Sequence, residues 1–328
     1  MWKEASKEMD RAGKIAKGYD ASIDELNLIS DQVYYHARSG NRSSLKKFIS
    51  NWDANTSLLM DEISSRLSYD KLFMEVNLLN SELEAIRTPQ DEARIEKFLK
   101  HPLLKKPRYG TSSHAELNFN YCKGIAFYLL GNYTDAFKCM DSALMIIKDN
   151  ELLKAKREEL LLRLKANLVL ISIQLFELDQ AEIYLDQLIA YKTADKTLNS
   201  YQLYMIYLMK LILLTTKKDF RAAINLINKQ KSNSSNLFNT INDKSAMTQE
   251  QVYELFYTAA CYMGVNRHKK AMGLLYDFIS EEKNLTKRDA YTTARFFYLI
   301  VLIEINDDGL INSELRSLQR FLKSEKKL

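Results

Sequence analysis

The chain has 328 residues, with 47 lysines and arginines against 42 aspartates and glutamates, so its formal net charge is +5. Charges of both signs are interspersed, which excludes the clustered basic footprint typical of nucleic-acid binding, and we expect no nucleic-acid partner. Hydrophobic residues make up 46% and charged residues 27%, a balance typical of a globular chain that buries a large core.

The N-terminal stretch MWKEASKEMDRAGK alternates charged and apolar residues and has no apolar core of the kind that a signal peptide needs. The most apolar window, YQLYMIYLMKLILL from Tyr201, is interrupted by Lys210 and is shorter than the roughly 20 residues of a membrane span. The cysteines lack CxxC spacing and suit small core residues of a reduced compartment. We therefore expect a cytoplasmic protein with no membrane span.

The N-terminal hundred residues predict two pairs of helices. Glu25 to Ile49 gives a helix, a small polar break at Ser39-Gly40-Asn41, and another helix. SYDKLFMEVNLLNSELEAI followed by TPQDEARIEKFL gives the second pair, and Thr88-Pro89 with acidic residues behind it predicts a helix start near residue 89. We interpret these pairs as divergent hairpins that extend or cap an array, and an independent helical bundle is the alternative.

The prolines indicate where the chain divides. All three, Pro89, Pro102 and Pro107, lie within one 19-residue window, and the following 221 residues contain none. Because proline interrupts helices, the long proline-free tract favours continuous helices. The window HPLLKKPRYGTSS is the predicted joint between an N-terminal helical region, residues 1–106, and a helical array, residues 107–328.

Capping-box residues predict two further helix starts. Ser113 with Glu116 and Thr248 with Gln251 place helices that begin near residues 114 and 249. Lys231 to Met247 is rich in serine and asparagine, which predicts a long connection between two helices. No segment of any length shows the strict alternation of a half-buried strand, so we predict an all-α protein.

The stretch YCKGIAFYLLGNYTDAFKCMDSALMI, Tyr121 to Ile146, places small and large residues at three- and four-residue steps around a short break. This pattern predicts a helix, a tight turn and a second helix packed on the first, with small residues that let the helices approach. Weaker copies follow in FELDQAEIYLDQLI, TKKDFRAAINLINK and VNRHKKAMGLLYDFI, and a degenerate copy is predicted from Asp289 to Lys323. The predicted packing residues are Gly124, Gly131, Tyr133, Ala136, Ala143, Ala181, Ala223 and Ala271.

The first unit, Leu117 to Asn150, is 34 residues long, and its G…F…G-N-Y…A…M…A-L pattern resembles the tetratricopeptide repeat family. The resemblance covers about 210 residues and implies a right-handed α-solenoid of antiparallel helix hairpins. Successive members of the alanine series Ala136, Ala181, Ala223 and Ala271 are 45, 42 and 48 residues apart. The later units therefore need longer helices or longer loops than the first unit. The family's tryptophan, the later glycines and the repeat-ending proline are missing.

Residues for catalysis or metal binding are sparse. His36, His101, His114 and His268 are dispersed, and HExxH, GxxxxGK[ST] and GxGxxG motifs are absent. His114-Ala115-Glu116 matches the HAE of zinc deaminases, but the PCxxC that would supply the other ligands is missing. We therefore expect a protein that is not an enzyme and has neither a metal nor a cofactor.

In tetratricopeptide arrays the first helices of the hairpins line a concave groove that binds peptides. The resemblance implies a groove lined by Asn118, Tyr121, Ile125, Tyr128, Arg163, Gln174, Tyr253, Phe256 and Met263. The alternative is that these aromatic and apolar residues, spaced as on a helix, belong to the core.

The resemblance implies a non-catalytic scaffold that binds a peptide or protein segment in this groove. The alternative is a sensory or regulatory module in which the array binds a signalling peptide or ligand and controls an effector, with residues 1–106 as the effector-binding bundle. An enzyme is the third hypothesis, and a homo-oligomer is left open.

Overall fold

A computed structural model describes residues 2–18, 22–38, 42–83, 88–106, 112–193, 195–233, 248–281 and 288–325. Within these ranges every element of regular secondary structure is an α-helix, which confirms the all-α prediction for this part of the chain. In chain order the helices are α1 (Trp2–Gly18), α2 (Ser22–Arg38), α3 (Arg42–Glu82), α4 (Pro89–Leu99), α5 (Pro102–Lys105), α6 (Ser113–Leu129), α7 (Tyr133–Asp149), α8 (Glu151–Lys156), α9 (Glu158–Gln174), α10 (Leu178–Ala190), α11 (Lys196–Thr216), α12 (Phe220–Asn233), α13 (Gln249–Gly264), α14 (His268–Ser280), α15 (Arg288–Ile305) and α16 (Asp308–Glu325).

The contacts within the chain divide it into two compact units, unit 1 (Met1–Leu175) and unit 2 (Phe176–Leu328). In unit 1, α3, α4 and α5 all pack against α6. The boundary predicted between residues 106 and 107 falls within the residue range of unit 1, and residues 107–111 lie outside the described residues. The N-terminal helices and the hairpin of α6 and α7 share one unit.

α3 is one continuous helix of 41 residues, although the sequence suggested two separate helices in this region. Its sequence contains neither proline nor glycine, so no residue removes a hydrogen bond or favours a break. The break predicted at Ser39-Gly40-Asn41 lies outside the described residues. α3 is long enough to contact α2 and, through buried residues such as Tyr69 and Val76, to reach α6.

Two predicted helix starts are confirmed with their capping boxes. At α4 the Asp91 N–H donates to Thr88 Oγ1 at 3.2 Å, and the Thr88 N–H donates to Asp91 Oδ2 at 3.0 Å. At α13 the corresponding bonds between Thr248 and Gln251 are 3.3 and 2.7 Å long. These bonds satisfy backbone N–H groups that have no partner inside the helix.

The cap of α6 differs by one residue from the predicted one. Ser112, not Ser113, is the cap, and its Oγ accepts a hydrogen bond of 3.2 Å from the Ala115 N–H. The connection predicted from Lys231 to Met247 begins later, because α12 continues to Asn233. Residues 234–247 lie outside the described residues.

Five turns of the repeat share one backbone conformation. Each contains a residue with φ between 58° and 72°, in the left-handed region that costs free energy for any residue with a side chain. In four of them the N–H groups of this residue and the next bond to carbonyls three and five residues earlier, as in a Schellman motif. The five residues are Gly131, Phe176, Lys218, Asn266 and Asn306.

The residue five positions after each of these turn residues repeats as well. Ala136, Ala181, Ala223 and Ala271 all have no exposed surface. Ile311 takes this place in the last hairpin, formed by α15 and α16, so the copy predicted there is present but degenerate. A small side chain at this position lets the second helix lie close to its neighbour.

The hairpin of α6 and α7 packs through the predicted residues. Ala143 is fully buried, and Tyr133 is half-buried at the start of α7. A Cβ atom placed on Gly124 would lie 2.9 Å from Met140 Cε and 3.0 Å from its Cγ and Sδ. Gly124 thus accommodates the side chain of Met140 from the facing helix.

In unit 2 the hairpins contact one another in sequence order. α13 packs on both α11 and α12, α14 packs on α15, and α15 packs on α16. One apolar cluster runs through these contacts and includes Leu211, Ala259, Leu275 and Leu302. Among the described residues, no helix combines the length and the apolar character needed to cross a membrane.

Candidate functional site

A cleft of about 540 Å³ lies in unit 2, at the edge where the hairpin turns are found. Residues of α11, α13 and α15, the first residues of α12 and α14, and the turns after α11 and α13 form its wall. We call it the turn-edge cleft, and its lining residues are Thr215, Thr216, Lys218, Phe220, Ala260, Met263, Gly264, Asn266, His268, Phe297 and Glu304.

The two hairpin turns give the cleft a repeating backbone frame. The N–H groups of Lys218 and Asn266 donate to carbonyls three residues earlier, at 3.0 and 2.9 Å. In the first turn, Asp219 Oδ1 also accepts a hydrogen bond of 3.1 Å from the Ala222 N–H and caps α12. Equivalent positions of successive hairpins therefore line one cleft.

The floor of the turn-edge cleft is apolar. The ring of Phe220 lies directly against the backbone of Gly264, because a Cβ atom at Gly264 would be 2.2 Å from Phe220 Cδ2. Met263 and Phe297 extend this surface, and the Phe297 ring centroid lies 6.5 Å from that of Phe256. An aliphatic or aromatic side chain of a ligand would lose its water shell on such a floor.

The hydroxyl groups in the wall donate to the backbone. Thr215 Oγ1 donates to the Leu211 carbonyl at 2.7 Å, and Thr216 Oγ1 donates to the Ile212 carbonyl at 2.9 Å. Thr215 Oγ1 also lies 3.1 Å from Cys261 Sγ. Burial raises the pKa of the Cys261 thiol, which disfavours the thiolate that nucleophilic chemistry would require.

The rim is mostly basic. An adjoining depression of about 440 Å³ shares Asn266 and His268 with the cleft and is also lined by Arg267, Lys269 and Lys270. α14 starts at this point with no side-chain cap and no acidic residue in its first turn. Because a helix N-terminus carries partial positive charge, the basic side chains add to it and make the rim attractive for anionic groups.

His268 also contributes to the polar character of this edge. Its Nδ1 is buried, and none of the described residues forms a hydrogen bond to it. Glu304 is the acidic member of the cleft's lining. The wall thus combines positive charge and one carboxylate around an apolar floor.

The groove predicted on α6 is not open in the structure. Asn118, Tyr121 and Ile125 expose only 0%, 1% and 6% of their surface, because α3 covers this face. Asn118 Nδ2 donates to an Asp70 oxygen at 2.8 Å, and the Tyr121 hydroxyl donates to Asn77 Oδ1 at 3.2 Å. The prediction that these three residues are accessible for a peptide is therefore wrong, and they form a helix interface.

Three other predicted groove residues lie in unit 1. Tyr128 is half-buried, with its ring centroid 5.7 Å from that of Tyr133. Arg163 Nη2 forms an ion pair of 2.6 Å with Glu159 on the same helix, and Gln174 is exposed at the end of α9. None of the three lies in the turn-edge cleft.

The last three predicted residues lie on α13 in unit 2. Tyr253 is half-buried, and Phe256 packs near Phe278, with ring centroids 6.4 Å apart. Met263 lines the turn-edge cleft, and it is the member of the predicted set that the structure places there.

A partly buried polar cluster in unit 1 joins residues that the sequence did not connect. His114 Nε2 lies 2.7 Å from Asp70 Oδ1 and 2.9 Å from Arg157 Nη2, and Asn118 also contacts the Asp70 oxygen. His114 is only 3% exposed, so a substrate has little access to it. The cluster ties α3, α6 and the start of α9 together.

No metal centre is evident among the described residues, because no group of three or more histidine, cysteine, aspartate and glutamate side chains could hold an ion. No family model matches the sequence, and no curated protein matches it significantly. The tetratricopeptide-like relationship stays a prediction.

Proposed function

We propose that this protein is a non-catalytic interaction scaffold that binds a peptide or protein segment in the turn-edge cleft. In this proposal the hairpins of each unit are stacked as a tetratricopeptide-like, right-handed α-solenoid. The observation that carries the proposal is that equivalent positions of successive hairpins line one cleft. Repeat arrays use such extended, regularly built surfaces for binding.

The chemistry of the cleft defines the segment that it would accept. A leucine, methionine or phenylalanine of the ligand would be buried against Phe220, Met263 and Phe297. Carboxylates on either side of this residue would face Lys218 and the basic rim beyond it. The ligand class is thus a short segment with one bulky apolar residue flanked by acidic ones.

Selection from a phage-displayed library of random 12-residue peptides on the immobilised full chain tests the proposal. Fluorescence polarisation then measures the affinity of a selected peptide for the wild type and for variants. We expect Met263→Glu to weaken binding at least about tenfold, because it puts a charge on the apolar floor. Lys218→Glu, at an exposed position, should weaken the binding of acidic peptides.

Leu203→Glu is the matched control, since Leu203 is 54% exposed and lies about three helical turns along α11 from Thr215. It should change the affinity less than about twofold. Circular dichroism and thermal melts confirm that the variants stay folded. The proposal is overturned if no peptide is enriched, or if Met263→Glu and Lys218→Glu bind the selected peptides as the wild type does.

A further inference from the structure

The outer face of α3 carries a row of large aliphatic side chains that are largely exposed in the described part of the chain. Ile49, Met60, Leu67, Met74 and Leu78 expose between 55% and 64% of their surface. On a helix of 3.6 residues per turn they lie within roughly 40° of one another, along about 44 Å of the helix. We call this row the α3 stripe.

The α3 stripe lies on the side of the helix away from the core. Leu72, Val76 and Leu79 are buried, and their positions on the helix are nearly opposite to those of the stripe. α3 therefore carries apolar side chains on both faces, and among the described residues the face with Leu72, Val76 and Leu79 is the buried one. The members of this row are 11, 7, 7 and 4 residues apart along α3, with Asp53 and Lys71 beside them. Exposed apolar side chains aligned on one face of a helix mark interaction surfaces more often than scattered single residues do.

The spacing of the residues in the α3 stripe indicates which kind of partner would be complementary to it. Ile49 and Leu78 are equally far from the point between Ile63 and Ser64, and so are Met60 and Leu67. The stripe therefore has nearly the same pattern when it is followed in either direction. A surface of this kind is complementary to itself across a twofold axis, which is the symmetry of most homodimers.

The charges beside the α3 stripe fit the same arrangement. Asp53 and Lys71 lie on the same side of the stripe, and two antiparallel helices bring their equivalent sides together. Asp53 of one copy then lies within one helical turn of Lys71 of the other. Lys71 is 3.7 Å from Glu75 on its own helix, an exposed pair that leaves the ammonium group within reach of a second carboxylate.

We propose that α3 is a dimerisation helix that packs its stripe antiparallel against the stripe of a second copy of this chain. Ile49 of each copy contacts Leu78 of the other, and Met60 contacts Leu67. This pairing buries the α3 stripe without any change in the packing of α3 on α6. The inference is independent of the turn-edge cleft, so either proposal can fail without the other.

The mass of the full chain in solution tests the proposal. Sedimentation velocity over a concentration series should show a monomer–dimer equilibrium. Leu67→Glu should raise the dimer dissociation constant about 100-fold, because both copies lose a buried leucine. Met145→Glu, at an exposed methionine of α7 outside the stripe, should leave it unchanged.

Cysteine cross-linking tests the direction of the pairing. The double variant Met60→Cys with Leu67→Cys should give covalent dimers with a short bismaleimide, because the two positions face each other. Each single variant should give few more covalent dimers than the wild type, whose own three cysteines set the background. A parallel pair would instead cross-link each single variant to itself.

Three results would overturn the proposal. The first is a monomer at every concentration, and the second is a dimer that Leu67→Glu does not weaken. The third is efficient cross-linking of the single cysteine variants. Circular dichroism and thermal melts of Leu67→Glu confirm that the fold is retained, and the exposure of this residue makes that the expected result.

Discussion

His114 and Asp70 join α6 to α3, with 2.7 Å between His114 Nε2 and Asp70 Oδ1. Arg157 at the start of α9 approaches both, at 2.9 Å from the imidazole nitrogen and 3.3 Å from the carboxylate. This cluster connects α3, α6 and the start of α9 on the face of α6 that α3 covers. Because these contacts favour the ionised form of Asp70, the charge of this carboxylate is expected to contribute to the stability of unit 1.

The Asp70 carboxylate should make unit 1 sensitive to acid. Burial alone would raise the pKa of Asp70, but the bond to His114 and the positive charges of His114 and Arg157 outweigh it and lower the pKa below its ordinary value. The unfolded chain then binds the proton more readily than the folded one. The contribution of Asp70 to stability is therefore complete above about pH 4 and is lost as the pH falls through the lowered pKa.

Asp70→Asn should remove this acid sensitivity. At neutral pH the variant should be less stable by about 1–3 kcal/mol, since His114 and Arg157 lose their charged partner. Melting temperatures measured at several pH values should fall less steeply below about pH 4 in the variant than in the wild type. Asp61→Asn, at an exposed carboxylate of the same helix, is the control. Equal acid sensitivity of Asp70→Asn and the wild type would contradict this prediction.

Gly264 should not tolerate even one added methyl group. In Gly264→Ala the new Cβ would start 2.2 Å from Phe220 Cδ2, so the ring has to move off the cleft floor at a cost of about 1–3 kcal/mol. Urea denaturation measures this loss. In a Phe220→Ala background the same substitution should cost much less, so a double-mutant cycle should show coupling between the two sites. Additive effects of the two substitutions would show that this contact is not tight.

The repeated turn predicts opposite effects for two substitutions at equivalent positions. Phe176 has φ of 59° and is 82% exposed, so its side chain gains little from packing while its backbone is strained. Phe176→Gly should stabilise the protein by up to about 1 kcal/mol, and Gly131→Ala should destabilise it by about 1 kcal/mol. Asn266→Gly is the reference, because asparagine adopts this conformation at little cost. Destabilisation by Phe176→Gly in thermal melts would mean that its side chain packs against another group.

The hairpins could be predicted from sequence because their signals are local. Gly131 and Ala136 lie within or next to the turn between α6 and α7. The cap of α13 is formed by Thr248 and Gln251, which are only three residues apart. The packing of α3 over α6 could not be predicted from local sequence, because it brings together residues that are far apart in the chain. Asp70 and His114, which meet there, are 44 residues apart. Tyr121, at helical spacing, fits a groove and a core equally well, and only the position of α3 decides between them.

The sequence predicted only one residue of the turn-edge cleft, because the cleft too is formed by residues that are far apart in the chain. Met263 was predicted because it lies on a first helix of the repeat. Lys218 lies in a turn and His268 is the first residue of the helix after the next turn, and the sequence does not show that these successive turns lie side by side. Packing between hairpins, which joins residues about 50 positions apart, determines this site.

The space beside Gly124 is limited by a flexible side chain and not by backbone atoms. The atoms nearest to an added Cβ are Cε, Cγ and Sδ of Met140, at 2.9–3.0 Å, and a methionine can rotate away. Gly124→Ala should therefore be nearly neutral, because the better helix propensity of alanine, about 1 kcal/mol, offsets the shift of Met140. Gly124→Leu should destabilise the protein by about 1–3 kcal/mol through overpacking. Adding Met140→Ala to Gly124→Leu should recover part of this loss in urea denaturation, and a further loss instead would show that α6 and α7 are held apart by more than Met140.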